Sequence, residues 1–222
     1  MFPLRDDQPR YSKPVICVLL IVVNVVVFLH QMQLEEFSRN FFIGRYGLVP
    51  DHFRVYTLIT SVFLHGGWLH IIGNMVFLWA FGRSLEDAMG SFKFLGFYLL
   101  CGAAAAFTQA LVSAGSNVPV IGASGAIAGV MGAYILKFPR SHIYSLVFIF
   151  IFITRLDIPA LFFIPYWFLM QVFNGLGSIG YSSISEGGTA WFAHIGGFIA
   201  GMLLVGIMGT KSRYLRGRQY RW

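Results

Sequence analysis

The stretch Gly122–Phe138, GASGAIAGVMGAYILKF, is built almost wholly of small and apolar residues, with Ser124 as the polar residue near its start. Gly125-x-x-x-Gly129 puts two glycines on one helical face, and Gly132 extends that face. Helices in lipid gain nothing by hiding apolar surface from each other, so close backbone approach is what joins them. The stretch therefore reads as a transmembrane helix in a tight bundle. A second stretch, Ala190–Gly209, AWFAHIGGFIAGMLLVGIMG, repeats the pattern with Gly197-x-x-x-Gly201 just after His194. Ser124 and His194 each lie a turn or less before a glycine pair. Packing the two smooth faces together would bring them close.

The whole chain fits this reading. It has 222 residues, 57% hydrophobic and only 11% charged, with a mean hydropathy of +0.70. Soluble domains carry about a quarter charged residues, so the chain is expected to be an integral membrane protein of one domain. Cys17 and Cys101 fall in apolar runs without C-x-x-C spacing and read as small core residues. The net charge of +7 does not call for nucleic acid. Lys211, Arg213, Arg216, Arg218 and Arg221 form a basic tail after the last apolar stretch, which suits anionic lipid at a cytoplasmic face. The partners expected are the lipid bilayer and membrane segments, with oligomeric state left open.

Six spans are expected: Pro14–His30, Trp68–Gly82, Phe92–Ser113, Gly122–Phe138, Pro159–Phe173 and Ala190–Gly209. The apolar run at Pro14–His30 is long for a signal-peptide core and lacks a small-residue cleavage site. Several spans are shorter than the roughly 20 residues a bilayer asks for, implying flanking extension or local thinning. His142–Thr154 is apolar, aromatic and β-branched, and reads as a non-spanning re-entrant piece or an extension of the fifth span. Residues 1–13 form a cytoplasmic segment, 14–209 an all-α six-helix membrane domain, and 210–222 a cytoplasmic tail. With both ends inside, thirteen Lys and Arg lie on the cytoplasmic side and three, Arg39, Arg45 and Arg54, outside. That satisfies the positive-inside rule. The second, fourth and sixth spans then run from outside to inside, so His70, Ser124 and His194 share the outer face at similar depth.

Polar side chains are costly in lipid and call for a reason. A serine with a histidine suggests a nucleophile and its base. No Asp or Glu lies in the outer half of any span; Glu35, Glu36, Asp51 and Glu186 are in loops. A Ser124–His194 dyad is thus expected rather than a triad, with His194 oriented by packing or water. Attack on an amide needs preformed oxyanion donors. His70 and Asn74, four apart on one helix face, can both donate, as can unpaired backbone N–H groups at Ser124. Gly122 permits a close backbone bend there. Other readings stay open at this point. A serine among small residues often only bonds back to a carbonyl, and an intramembrane asparagine often bridges helices. A transporter or ion path, or a structural bundle, would also place polar groups in spans. His65 and His70 are poorly spaced for zinc, and no HExxH motif occurs, so neither metal nor cofactor is expected.

His65-Gly-Gly-Trp-Leu-His70-Ile-Ile-Gly-Asn74, Gly122-Ala-Ser124-Gly125 and Ala193-His194-Ile-Gly-Gly197 together closely resemble the rhomboid intramembrane serine proteases. The resemblance runs in order from about Arg54 to Gly201. It implies a six-helix core with a water-filled cavity open to the outer side. It also implies Ser124 as nucleophile, His194 as general base, and an oxyanion hole of His70, Asn74 and the Ser124 amide. Phe53-Arg54 stands where many relatives have Trp-Arg in the first outer loop, and Ala128 stands where some have a tyrosine stacked on the catalytic histidine. Another side chain is therefore needed beside His194. The resemblance further implies cleavage near the outer end of substrate transmembrane helices, at small residues followed by helix-destabilising ones. Substrates would reach the site between the second and fifth helices. Inactive relatives that handle membrane proteins typically lose the serine or histidine, and this chain keeps both. Short termini without a transit peptide suit a bacterial inner membrane.

Overall fold

The structure is a computed structural model that describes residues 1–149, 152–179 and 190–211. Glu186 and the tail residues Arg213, Arg216, Arg218 and Arg221 lie outside the described residues. The first long helix, α1 (Val15–Gln33), follows Pro14 and buries Ile16, Cys17, Leu20, Asn24, Phe28 and Gln31. These recur every three or four residues, which puts them on one stripe. Val18, Leu19, Val22 and Val26 point outward, as suits a lipid-facing side. Next comes α2 (Glu36–Tyr46), which buries no residue and exposes Phe37 and Phe41. The loop expected around Glu35 and Glu36 is thus a helix. Its apolar residues lack the sustained periodicity that would have marked a buried helix.

A short α3 (Thr57–Thr60) runs into a 3₁₀ turn at Ser61–Phe63. The chain then bends by 100° into α4 (Trp68–Phe77). A π turn at Leu78–Gly82 carries α4 straight into α5 (Arg83–Met89), so the helix continues seven residues past the expected end at Gly82. Gly90, at φ +90°, reverses the chain into α6 (Ser91–Val112). The central helix is α7 (Ser124–Lys137), buried at every position from Gly125 to Tyr134. A helix apolar on all sides belongs in the middle of a bundle. It packs most extensively on α9 (Trp191–Met208) and also on α6. The remaining helix is α8 (Ala160–Ile179), with Pro165 inside it.

Among the described residues, α1, α6, α8 and α9 are long and apolar enough to cross a membrane, and the bent pair Thr57–Phe63 and Trp68–Met89 makes a fifth if counted as one broken span. At about 1.5 Å per residue α7 is only about 21 Å long, and its burial among the other helices spares it contact with lipid. The protein is an integral, multi-pass membrane protein that is mostly helical.

The all-α expectation needs correcting. Strands β1 (Phe2–Asp6), β2 (His142–Ile149) and β3 (Phe152–Pro159) form an antiparallel sheet in the order β1-β2-β3. Opposite Tyr144 sits Asp157, and opposite Leu146 sits Arg155. His142–Thr154 is therefore most of a hairpin rather than a re-entrant piece or part of the fifth span. The β-branched and aromatic content that made it look apolar is also what favours strand. β1 escaped notice because it is short, polar and interrupted by Pro3, a residue confined to edge strands within sheets. From Met1, beside Phe77 and Trp167, β1 runs along α4 to the C-terminal end of α7, the end of the bundle opposite Ser124.

Buried carboxylates fasten the N-terminal residues to that end. Glu86 accepts the Ile16 and Cys17 N–H groups at 2.9 and 2.8 Å, capping α1 with a side chain from α5. Without it these first-turn donors would be unpaired. Asp87 accepts the Tyr11 N–H at 2.7 Å and the Ser12 hydroxyl. The Tyr134 hydroxyl, on the last turns of α7, donates to Asp6 at 2.7 Å.

Candidate active site

Three helices bring their first turns together at the Ser124 end of the bundle. The faces of α7 and α9 meet through glycines. A methyl group on Gly197 would strike the Gly125 carbonyl, and one on Gly201 would strike the Gly129 carbonyl. A methyl on Gly129 would in turn lie 3.0 Å from the Gly197 carbonyl oxygen. Only the absence of Cβ atoms lets the backbones come this close. Gly125 is also closed in from α6, where a methyl would come within 2.5 Å of the Ala105 Cβ.

With α7 and α9 in that register, Ser124 Oγ stands 2.7 Å from His194 Nε2. His194 is buried, while Ser124 keeps partial exposure. The His194 ring is walled by Trp167, with centroids 5.7 Å apart, and by Trp191, edge-on at 6.1 Å. Its other nitrogen, Nδ1, lies 2.7 Å from Gln171 Oε1. Another glutamine secures the start of α9, where Gln109 accepts the Ala193 N–H at 3.1 Å.

The third helix start carries His70 and Asn74. Gly122, at φ +120°, adopts a backbone conformation that favours glycine. A methyl there would lie 2.6 Å from His70 Nε2 and 3.6 Å from Asn74 Nδ2. Both nitrogens thus face the bend that leads into Ser124. The Gly66 N–H donates to His70 Nδ1 at 3.4 Å, which leaves the His70 proton on Nε2, facing Gly122. Asn74 Nδ2 donates one proton to His65 Nε2 at 2.9 Å and keeps a second. His65 is itself locked to α1, because its N–H donates to Gln31 Oε1 at 3.1 Å and its carbonyl accepts from Gln31 Nε2 at 3.3 Å. The bend at Gly122 is held from outside as well. Its N–H donates to the Ser61 carbonyl at 2.9 Å, and Leu48 and Val120 exchange N–H···O bonds at 3.1 and 2.8 Å.

The arrangement therefore presents a hydroxyl bonded to an imidazole, two side-chain N–H donors beside it, and the unpaired N–H groups of a helix start. Those are the parts that acyl transfer requires: nucleophile, base and oxyanion donors. Among the described residues no three His, Cys, Asp or Glu side chains converge as metal ligands would.

Comparison with known proteins places this geometry in a family. The model of the rhomboid domain matches residues 52–211. The chain belongs to the rhomboid family. RHOMBOID-like protein 5 of Arabidopsis thaliana is 27% identical over 164 residues, covering 71% of this chain and 45% of that protein. Rhomboid protein 1, mitochondrial, of Saccharomyces cerevisiae is 30% identical over 191 residues, covering 83% of this chain and 50% of the relative. The human presenilin-associated rhomboid-like protein, mitochondrial, is 33% identical over 88 residues, 39% of this chain and 23% of its own length. The chain spans about half the length of the first two relatives.

Within this rhomboid core the structure brings together the four side chains expected at the site. Ser124 and His194 are in contact, and His70 and Asn74 border Gly122. Sequence reasoning missed Gln171, which touches His194, and Gln31, which braces His65. Each had a visible signal, being an amide side chain in or just after an otherwise apolar span. His194 was expected to be oriented by packing or water; an amide side chain does it as well as the tryptophans.

Proposed function

We propose that this rhomboid is an intramembrane serine endopeptidase that cuts transmembrane segments of other membrane proteins near the outer face. The observation that carries the reading is the 2.7 Å approach of Ser124 Oγ to His194 Nε2, in a buried setting with N–H donors alongside. Ser124 gives its proton to His194 Nε2 as Oγ attacks the scissile carbonyl carbon. The carbonyl oxygen becomes an oxyanion, facing the His70 Nε2–H, the free Asn74 N–H and the Ser124 N–H. His194 then returns its proton to the leaving amine nitrogen, the C–N bond breaks, and an acyl ester on Ser124 remains. Water, deprotonated by the same histidine, hydrolyses that ester. Preorganised donors of this kind are usually the largest single contribution to such catalysis.

The positive-inside pattern supports a cytoplasmic N-terminal segment, with the Ser124 end facing outward. A bacterial inner membrane rests on that charge pattern. The relatives whose names include "mitochondrial" lend it no support.

A fluorophosphonate probe tests the reading. The native chain should be labelled, and the adduct should map to Ser124. Ser124→Ala and His194→Ala should each lose both labelling and cleavage of a model transmembrane substrate, with unchanged unfolding in detergent. Undiminished cleavage by Ser124→Ala would falsify the serine mechanism. Failure of the native chain to label or cleave would favour a catalytically silent membrane-protein-handling factor or a transporter.

A further inference from the structure

Gln171 is buried in α8 with both ends of its amide engaged. Nε2 donates to the Trp167 carbonyl, one turn earlier, at 3.0 Å. That contact settles which way the amide faces, because a carbonyl cannot accept from Oε1. Oε1 is therefore the atom directed at His194 Nδ1, 2.7 Å away. An amide oxygen only accepts, so Nδ1 must carry the proton. The neutral imidazole has one proton, and Nε2 is then bare, facing Ser124 Oγ at 2.7 Å. A bare Nε2 is the form that can take the serine proton; the opposite tautomer would turn an N–H toward the hydroxyl and could not act as base.

We infer that Gln171 is the positioning residue of the dyad, holding His194 in the Nδ1–H tautomer and fixing its ring plane, the part a buried carboxylate plays in Ser–His–Asp enzymes. The inference rests on the proteolytic reading for its effect on rate, but the tautomer itself is independent of it. An uncharged amide suits this place. No Asp or Glu lies within hydrogen-bonding distance of His194 among the described residues, and a carboxylate so deep would need a counter-charge. Trp167 serves twice, once as the carbonyl that orients Gln171 and once as a wall of the His194 ring. Both residues stand on α8, whereas Ser124 and His194 stand on α7 and α9. The productive form of the base therefore depends on α8 being seated against α9.

Three variants test this. Gln171→Met keeps length and apolarity but removes the acceptor. Gln171→Glu keeps an acceptor of the same shape. His194→Asn identifies the His194 signals. In ¹⁵N-histidine NMR of the detergent-solubilised chain, native His194 should show protonated Nδ1 and bare Nε2. Gln171→Met should show the Nε2–H form or a mixture. Losing the tautomer-setting partner costs up to about 10⁴ in kcat where that partner is a buried aspartate; a neutral amide should be worth about 10–100-fold. Gln171→Met should lower kcat by that factor with little change in KM, and slow fluorophosphonate labelling alike. Gln171→Glu should retain most of the activity, with the imidazolium of His194 as the counter-charge its carboxylate needs, and that pairing should move the acid limb of kcat/KM to higher pH. An unaltered tautomer in Gln171→Met, or a kcat loss that Gln171→Glu reproduces in full with no shift of the pH profile, would overturn the inference. A native chain with the Nδ1–H tautomer but no labelling and no cleavage would refute the protease and leave the tautomer assignment standing.

Discussion

Asn74 carries two N–H bonds on one nitrogen, and the protein uses one of them internally, on His65 Nε2. The nitrogen also borders the bend at Gly122, where the proposed oxyanion would form. One side chain thus has a structural bond and a free donor, and its removal should separate the two effects. Asn74→Ala leaves His65 Nε2 buried without a partner, at a cost of about 1–3 kcal/mol in stability. It also removes a donor that matters only as charge develops, so kcat should fall more than KM rises. One lost oxyanion donor typically costs about 10²–10³ in kcat; here His70 and the Ser124 N–H remain, which sets that range as the ceiling. Kinetics beside thermal unfolding in detergent would check it. Activity that declined only in step with unfolding would make Asn74 a bracket for His65 and leave the oxyanion to the other two donors. Fluorophosphonate labelling should persist more slowly, since nucleophile and base are untouched.

Among elements, the strand β1 and the residues after it carry the clearest electrostatic signature. Asp6 and Asp7 are adjacent in sequence but shifted in opposite directions. Burial raises the Asp6 carboxyl above its ordinary 3.8, against the opposing pull of the nearby Ser84 hydroxyl, the Tyr134 hydrogen bond and the charges of Arg83 and Arg10. Burial also works against the charge on Asp7, but the Ser141 hydroxyl, the His142 N–H and Gln8 outweigh it and hold that carboxyl below 3.8. The linkage signs therefore differ. The Asp6 contribution is fully present below 3.8 and is lost as pH rises through its raised value. The Asp7 contribution is present above 3.8 and is lost as pH falls through its lowered value. Unfolding temperature followed from neutral pH down to about 3 should rise in mild acid and then fall. Asp6→Asn should remove the rise, because its amide oxygen still accepts from Tyr134 and no longer titrates. Asp7→Asn should flatten the fall. A native profile that only declined with acid would show that the β1 attachment does not govern stability in this range.

At the scale of the whole molecule, Ser124 begins α7 and Arg140 stands just beyond its other end, and the proposed topology puts those ends on opposite sides of the membrane. Exposed Asn117 lies at the Ser124 end and exposed Arg140 at the other. Because Cys17 and Cys101 are buried, single cysteines at these positions can be read without background. Asn117→Cys and Arg140→Cys should react with an impermeant maleimide from opposite faces of sealed vesicles. Reaction of both from the same face would undo the shared outer depth of His70, Ser124 and His194. Much of this architecture is legible residue by residue. Lipid makes an unexplained polar group costly, so His70, Asn74, Ser124 and His194 stand out from their surroundings, and the glycine pairs announce which helix faces meet. Membership of the rhomboid family follows from the same motifs. Those are local patterns, each contained within one helix. The sheet is not local: it needs Phe2–Asp6 to find His142–Ile149 across most of the chain, and neither partner announces the other. The tautomer of His194 is likewise decided only in three dimensions. It depends on how α8 is rotated against α9, and that rotation is set by side-chain packing along both helices rather than by the spacing of any motif.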